Sequence, residues 1–282
     1  MSDVKQYRDY DYQINKLISH GCIIADREFC LQVLTDISYY RLSAYFLPYI
    51  KKDKMYSEDT EFNKIFSLYE FDRKLRNLIF ASIEVVEISL RARLSYFHSS
   101  KYGPLGYLDS STFNSKHNHD KFIAKIEREI DSNKKVLFVK HHIDNYNGQF
   151  PLWVISELFT FGMLSYFYTD LTTADKKEFA GKYFNETVSW LRCCTDLRNI
   201  CAHYGRLYFR KFSAMPAGFD IPESTKRRLW GTMLALRSLY PSVDKWNSEF
   251  MPAIEALFEE YKETICLHHV GFPVDWVEKL KK

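Results

Sequence analysis

The chain has 282 residues, of which 46% are hydrophobic and 27% are charged, a balance typical of a globular protein rather than a disordered one. Lys and Arg total 39 against 36 Asp and Glu, so the net charge of +3 excludes a strong overall attraction to nucleic acid or anionic membranes. Any RNA-binding surface must therefore be local. The six cysteines form no CxxC pair and no signal peptide precedes them, which predicts reduced thiols and a cytoplasmic protein.

The N-terminal part predicts short helices joined by polar turns. Their expected ranges are 11–19 and 26–38, and an aromatic-rich segment continues over 39–50. Asp26 is the expected N-cap of the second helix. A polar run predicts a boundary near residue 55, which divides the chain into an N-terminal helical segment (1–55) and a helical core (56–282).

The core begins with the longest periodic stretch, which lacks internal Pro and Gly and predicts one helix from Thr60 to about His98. A turn is expected at 102–106. Further helices are expected over 116–131, 135–145, 151–164, 173–185, 187–204, 223–240 and 245–265. Apolar residues recur mostly at helical spacings, so the predicted class is all-α, a multi-helix bundle. The charge-free apolar stretch at 158–169 is shorter than the roughly 20 residues of a membrane span, and no membrane partner is expected.

One predicted helix separates into an apolar and a polar stripe. The apolar stripe consists of Trp190, Cys194, Leu197, Cys201 and Tyr204. The polar stripe consists of Arg192, Asp196, Asn199 and His203. Asn199 and His203 are i,i+4 neighbours, and the long side chain of Arg198 reaches the same space, so the three together suit a phosphate. Gly205 is the predicted C-terminal stop of this helix.

These residue types suit metal-free cleavage of RNA. That reaction needs a base for the 2′-hydroxyl, an acid for the leaving 5′-oxygen, and positive charge on the phosphorane that forms between them. His and Arg meet these needs at neutral pH, so no metal or other cofactor is expected. Because one His per chain cannot easily be both acid and base in one turnover, we predict a homodimer in which two copies of the helix face each other.

Residues 197–207, Leu-Arg-Asn-Ile-Cys-Ala-His-Tyr-Gly-Arg-Leu, closely resemble the signature of the Abi-like (abortive infection) proteins. Other stretches resemble the same family, in family order, over 37–46, 71–76, 83–93, 102–108 and 151–165. The resemblance implies a helical HEPN-type fold and a toxin-like role in phage resistance through growth arrest. It also implies an Arg-x4-His ribonuclease motif made of Arg198 and His203, with Asn199 as its polar companion.

The sequence departs from the family at two places near this motif. Tyr204 stands where a second His is common, and Phe209 stands where Asn is usual before Arg210. A related class of toxins is silenced by adenylylation of a Tyr two residues after the His, but Gly205 occupies that position, so this control is not expected. The RNA target, the trigger, and whether a small-RNA or protein antitoxin restrains the activity are left open.

Arg206 and Arg210, which follow the motif, and Arg73 and Arg76 on the long helix are the candidate RNA-phosphate contacts. Each has an alternative. A basic run after a helix end also complements the helix dipole, and charges at helical spacing also form solvated pairs. Such pairs are the alternative for Asp72, Arg73, Arg76, Glu84 and Glu87.

A second function remains open beside the ribonuclease. Arg198, Asn199 and His203 would then form a buried polar network in a non-catalytic module that binds RNA or a protein. Arg93 and His98 repeat the Arg-to-His spacing without the Asn, which we interpret as coincidence. Cys194 and Cys201 are expected in the core rather than as thiol nucleophiles.

Overall fold

The computed structural model describes residue 4 and residues 6–281 and is all-α, as predicted, with no named strand among those residues. Short 3-10 turns connect several of the helices. The α-helices are α1 Tyr10–Ser19, α2 Arg27–Asp36, α3 Tyr39–Phe46, α4 Phe62–Tyr102, α5 His119–Ser132, α6 Leu137–Asn145, α7 Leu152–Ile155, α8 Phe161–Asp170, α9 Thr173–Ala180, α10 Phe184–Ala202, α11 Glu223–Lys226, α12 Leu229–Leu239, α13 Val243–Lys245, α14 Met251–Glu260, α15 Leu267–Val270 and α16 Trp276–Leu280.

The first three helices begin at side-chain caps. The Asp9 carboxylate accepts from the Tyr12 N–H at 2.8 Å, and Asp26, the predicted cap, accepts from the Phe29 N–H at 2.9 Å. Helix α4 then begins beside Ile23. The backbone N–H and the backbone carbonyl of Ile23 both form hydrogen bonds with the chain at the start of this helix. Buried side chains from both sides of residue 55 belong to one hydrophobic cluster, and the division at that residue stays a prediction.

The central element is α4, a single helix of 41 residues and therefore roughly 60 Å long. The prediction of one long helix is confirmed. It contacts α3, α7, α8, α10, α12 and α14. Its buried stripe includes Phe71, Leu75, Ile79, Ile83 and Val86, at the spacing of three and four that one helix face requires. No helix within the described residues has an apolar run long enough to cross a bilayer.

The helix predicted over 151–164 is wrong as one element, because the chain breaks between α7 and α8. Arg91 of α4 donates from Nη2 to the Phe159 carbonyl at 2.9 Å, which takes that carbonyl out of a helix. The Thr160 hydroxyl then accepts from the Met163 N–H at 3.3 Å and caps α8. A contact from a distant part of the chain thus decides where the new helix starts.

The predicted helices at 223–240 and 245–265 are also interrupted. Arg228 is extended (φ −102°, ψ 176°) and separates α11 from α12. A π-helical turn at Trp246–Phe250 separates α13 from α14.

Candidate functional site

Helix α10 carries the polar stripe, and most of its predicted apolar stripe is buried. Trp190, Cys194, Leu197 and Cys201 all lie in the core, where burial raises the pKa of Cys201 to about 12 and disfavours a thiolate. Tyr204 is the exception, because its side chain is 68% exposed. It falls outside the helix, so the wheel that placed it on the apolar stripe does not apply to it.

The end of α10 is a Schellman motif. The helix ends at Ala202, His203 is the C-cap, and Tyr204 takes a left-handed conformation with φ 57°. The Tyr204 N–H donates to the Cys201 carbonyl at 3.1 Å. Glycine is the usual residue at such a left-handed position, because a side chain there costs free energy. A tyrosine at this position is unusual.

Gly205 ends the motif, although not through the conformation expected of a helix stop. Its N–H donates to the Ile200 carbonyl at 2.8 Å, and its φ is not positive. A Cβ atom at Gly205 would lie 3.0 Å from Cγ2 of Ile200 and 3.2 Å from the Ile200 carbonyl oxygen. Close approach to the helix is therefore what favours glycine here, while the left-handed turn falls on Tyr204.

Arg198 and Asn199 lie in the last two turns of α10, and His203 is its C-cap. Asn199 and His203 are exposed, and the side chain of Arg198 is 33% exposed. In the described part of the chain, the His203 imidazole has no hydrogen bond or ion pair. The three residues therefore do not form a buried network, and the imidazole is free to meet a substrate.

Arg198 leans against α4. Its Nε lies 3.7 Å from a Glu87 carboxylate oxygen, and its guanidinium lies 5.7 Å from the centroid of the Phe80 ring. The other Glu87 oxygen accepts from Nη2 of Arg91 at 3.3 Å, so this carboxylate lies between two arginines. Together with Glu84 these groups border a cavity of about 400 Å³. Glu84 and Glu87 thus line the same cleft as Arg198.

Asp72 and Arg76 do not face this cleft, because they are buried beneath the loop that follows His203. The Asp72 carboxylate is 0% exposed and accepts from the Arg76 guanidinium at 2.6 Å. It also accepts from the Tyr45 hydroxyl at 2.7 Å and from the Leu207 and Tyr208 N–H groups at about 3 Å. The pair fixes the loop to α4 and so positions the end of α10.

The four arginines predicted to contact RNA have different surroundings. Arg76 is 4% exposed and turned inward, so the structure gives it a positioning role. Arg73 is exposed but pairs with Glu70 at 2.8 Å. Arg206 donates to the Ala44 carbonyl, and Arg210 lies 6.0 Å from the centroid of the Phe212 ring; both are partly exposed on the loop. Binding of RNA by these side chains stays a prediction.

The family model of the Abi-like proteins matches residues 32–209, which is more than half of the chain. The chain belongs to the Abi-like protein family. The matched range begins in α2 and includes α4, α10 and the loop to Phe209, so Arg198, Asn199 and His203 lie inside it and Arg210 lies one residue beyond it. No curated protein and no solved structure matches the chain.

Residues outside the matched range, at the starts of α12 and α15, support the loop of this Abi-like protein from its other side. The Tyr208 hydroxyl accepts from the Cys266 N–H at 2.7 Å, and Arg228 donates to the Phe209 carbonyl at 2.8 Å. Phe209 itself has φ 62°, a conformation that the Asn usual in the family adopts more readily than Phe. Its ring packs 4.2 Å from that of His269, between centroids.

Sequence reasoning placed Tyr204 on the apolar stripe, although it noted the residue beside the motif, and it missed Arg41 as a neighbour of the site. Arg41 of α3 donates to the Tyr204 carbonyl at 2.9 Å across 163 residues of chain. The sequence did contain a signal for Tyr204, in the order His203-Tyr204-Gly205. In a Schellman motif the residue directly after the C-cap is left-handed, and with His203 as the C-cap that residue is Tyr204. Nothing local in the sequence indicates Arg41, since its contact depends on how α3 packs.

Proposed function

We propose that this Abi-like protein is a metal-independent endoribonuclease of HEPN type that acts in phage defence through growth arrest. The observation that carries the proposal is the group of Arg198, Asn199 and His203 at the end of α10, with an exposed imidazole that no described residue engages. Family membership supports the defence role. Exposure of the imidazole supports the catalytic one, because a structural histidine is normally packed or hydrogen-bonded.

The reaction needs only side chains of these types. A base removes the 2′-hydroxyl proton, the 2′-oxygen bonds to phosphorus, and the bond to the 5′-oxygen breaks as an acid protonates it. The products carry 2′,3′-cyclic phosphate and 5′-hydroxyl ends. His203 serves as acid or base, Arg198 stabilises the phosphorane charge through its guanidinium, and the Asn199 amide donates a hydrogen bond to the phosphate.

A homodimer would complete the site, because acid and base would then come from two copies of His203. The surface beside Arg198 suits a second chain, since Phe80 and Ile88 of α4 are both exposed there. Single exposed apolar side chains are common, but these two border the cleft that holds Arg198. A small-RNA or protein antitoxin that covers His203 would silence the enzyme.

The second candidate is a non-catalytic module that binds RNA or a protein through the same surface. The Glu87 carboxylate favours the protein-binding form of this module, because a negative charge 3.7 Å from Nε of Arg198 weakens the attraction of that arginine for phosphate. In this alternative the exposed residues supply affinity without chemistry.

RNA cleavage in EDTA by purified wild type and His203→Ala tests the proposal. Wild type should produce cyclic-phosphate ends, and His203→Ala should be slower by about 10²- to 10⁴-fold, the usual contribution of acid–base catalysis. His141→Ala is the matched control, because His141 is also exposed but lies on α6. The melting temperature should not change in either variant.

Equal cleavage by wild type and His203→Ala would contradict the assignment. Binding of RNA without cleavage by either protein would favour the module.

A further inference from the structure

Tyr204 combines exposure with an unfavourable backbone conformation. Its φ of 57° is in the left-handed region, which is less favourable than the ordinary helical region for an L-residue with a side chain. Its side chain is 68% exposed, so packing of the ring does not offset this cost. Strained backbone conformations cluster at active sites and ligand-binding positions, so Tyr204 is a candidate for a functional role.

Arg41 holds Tyr204 from both its backbone and its ring. Nη1 of Arg41 donates to the Tyr204 carbonyl at 2.9 Å, and the guanidinium carbon lies 6.0 Å from the ring centroid. Arg41 is itself exposed, and the neighbouring Tyr40 is 88% exposed. The result is an exposed aromatic ring, directly after His203, with a guanidinium over one of its faces.

We propose that Tyr204 and Arg41 form a stacking subsite for one unpaired nucleobase of a single-stranded RNA. An aromatic ring and a guanidinium plane are the groups on which proteins stack unpaired bases, and the cation also attracts the adjacent phosphate. His203 and Tyr204 are adjacent in the chain and both exposed, so a base stacked on Tyr204 would belong to a nucleotide near the phosphate at His203. The inference rests on the proposed action on RNA.

The subsite predicts a preference for single-stranded over double-stranded RNA, which attraction to phosphate charge alone would not produce. Stacking requires an exposed base face, so single-stranded RNA should bind more tightly than a duplex of the same sequence. The preference should be tolerant of sequence, because every base has a π face. His203 and Arg198 interact with phosphate and ribose. By themselves they would bind a strand with bases and an abasic strand equally well.

The test measures binding of a short fluorescein-labelled single-stranded RNA and of an abasic ribose-phosphate strand of equal charge, in a His203→Ala background that cannot cut. The background should bind the strand with bases more tightly than the abasic strand. Adding Tyr204→Leu should weaken binding of the former by about 5- to 150-fold and leave the abasic strand unaffected. Tyr204→Phe should retain most of the affinity.

Tyr204→Gly separates stacking from folding. Glycine relieves the left-handed strain, so the melting temperature should rise by about 2–4 °C while affinity for the RNA falls as in Tyr204→Leu. If Tyr204 had only a structural role, Tyr204→Gly would instead lower the melting temperature. Tyr166→Leu is the matched control, because Tyr166 is also 68% exposed but lies on α8, and its affinity should not change.

Equal binding by the background and Tyr204→Leu would overturn the subsite, as would the absence of any RNA binding. A change in oligomeric state with unchanged affinity would instead make Tyr204 a subunit contact and would also overturn it. The two proposals fail separately: cleavage with no effect of Tyr204→Leu removes only the subsite, whereas base-dependent binding without EDTA-resistant cleavage removes only the ribonuclease.

Discussion

Asp72 and Arg76 are one helical turn apart on α4, a spacing that on a solvent-facing helix contributes only about 0.2–0.5 kcal/mol. Both side chains are buried here, with the carboxylate at 0% and the guanidinium at 4% exposure. In a buried pair, removal of one partner leaves an uncompensated charge and costs about 3–5 kcal/mol. An i,i+4 ion pair therefore contributes differently to stability when tertiary structure buries it than when it faces solvent.

Asp72→Ala should lower the free energy of unfolding by about 3–5 kcal/mol, because it leaves Arg76 unpaired and also releases the Leu207 and Tyr208 N–H groups. Urea unfolding followed by circular dichroism measures it. Arg73→Ala is the control, since the neighbouring exposed pair with Glu70 should contribute only about 0–1 kcal/mol. If Asp72→Ala and Arg73→Ala lowered the free energy of unfolding equally, burial of the Asp72–Arg76 pair would not add to its contribution to stability.

Burial also changes the properties of His98, in this case its pKa. The imidazole is fully buried near the end of α4, where its ring stacks on Phe113 and Nε2 lies 3.3 Å from the Thr112 hydroxyl. Burial lowers the pKa of His98 to about 4, because the charged form loses its hydration. The Arg93–His98 spacing is thus not a second surface site, since Arg93 is exposed while His98 is in the core.

His98 should make the protein lose stability in mild acid. The unfolded chain binds a proton near pH 6.5 and the folded chain only near pH 4, so the stabilisation is complete above about pH 6.5 and falls as the pH drops toward about 4. His98→Phe keeps a ring without the titration and should flatten the melting temperature across this window. Parallel pH profiles of wild type and His98→Phe would contradict the assignment.

At the scale of elements, local sequence signals placed helices better than they placed helix ends. The long periodic stretch without Gly or Pro predicted α4, and Asp26 predicted the start of α2, because both features depend on nearby residues. The break between α7 and α8 was missed. It depends on Arg91 binding the Phe159 carbonyl 68 residues away, a contact that local periodicity does not contain.

At the scale of the whole molecule, the proposed dimer makes a prediction about shared sites. A heterodimer of wild type and His203→Ala, isolated through two different affinity tags, should lose nearly all cleavage, because each composite site needs both imidazoles. A heterodimer of wild type and His141→Ala should retain full activity. Half activity in the His203→Ala heterodimer, or cleavage by a chain that stays monomeric, would show that the site is complete in one subunit.

The sequence by itself determined the helical class and the central α4, and it predicted Arg198, Asn199 and His203 as one site near the end of α10. These features follow from the period of the α-helix, which is local. Only the tertiary structure decided that Arg76 is buried, that Tyr204 is exposed in a left-handed turn, and that Arg41 joins it. These outcomes depend on contacts between residues 129 to 163 positions apart, whose energies come from burial and pairing rather than from neighbouring residues.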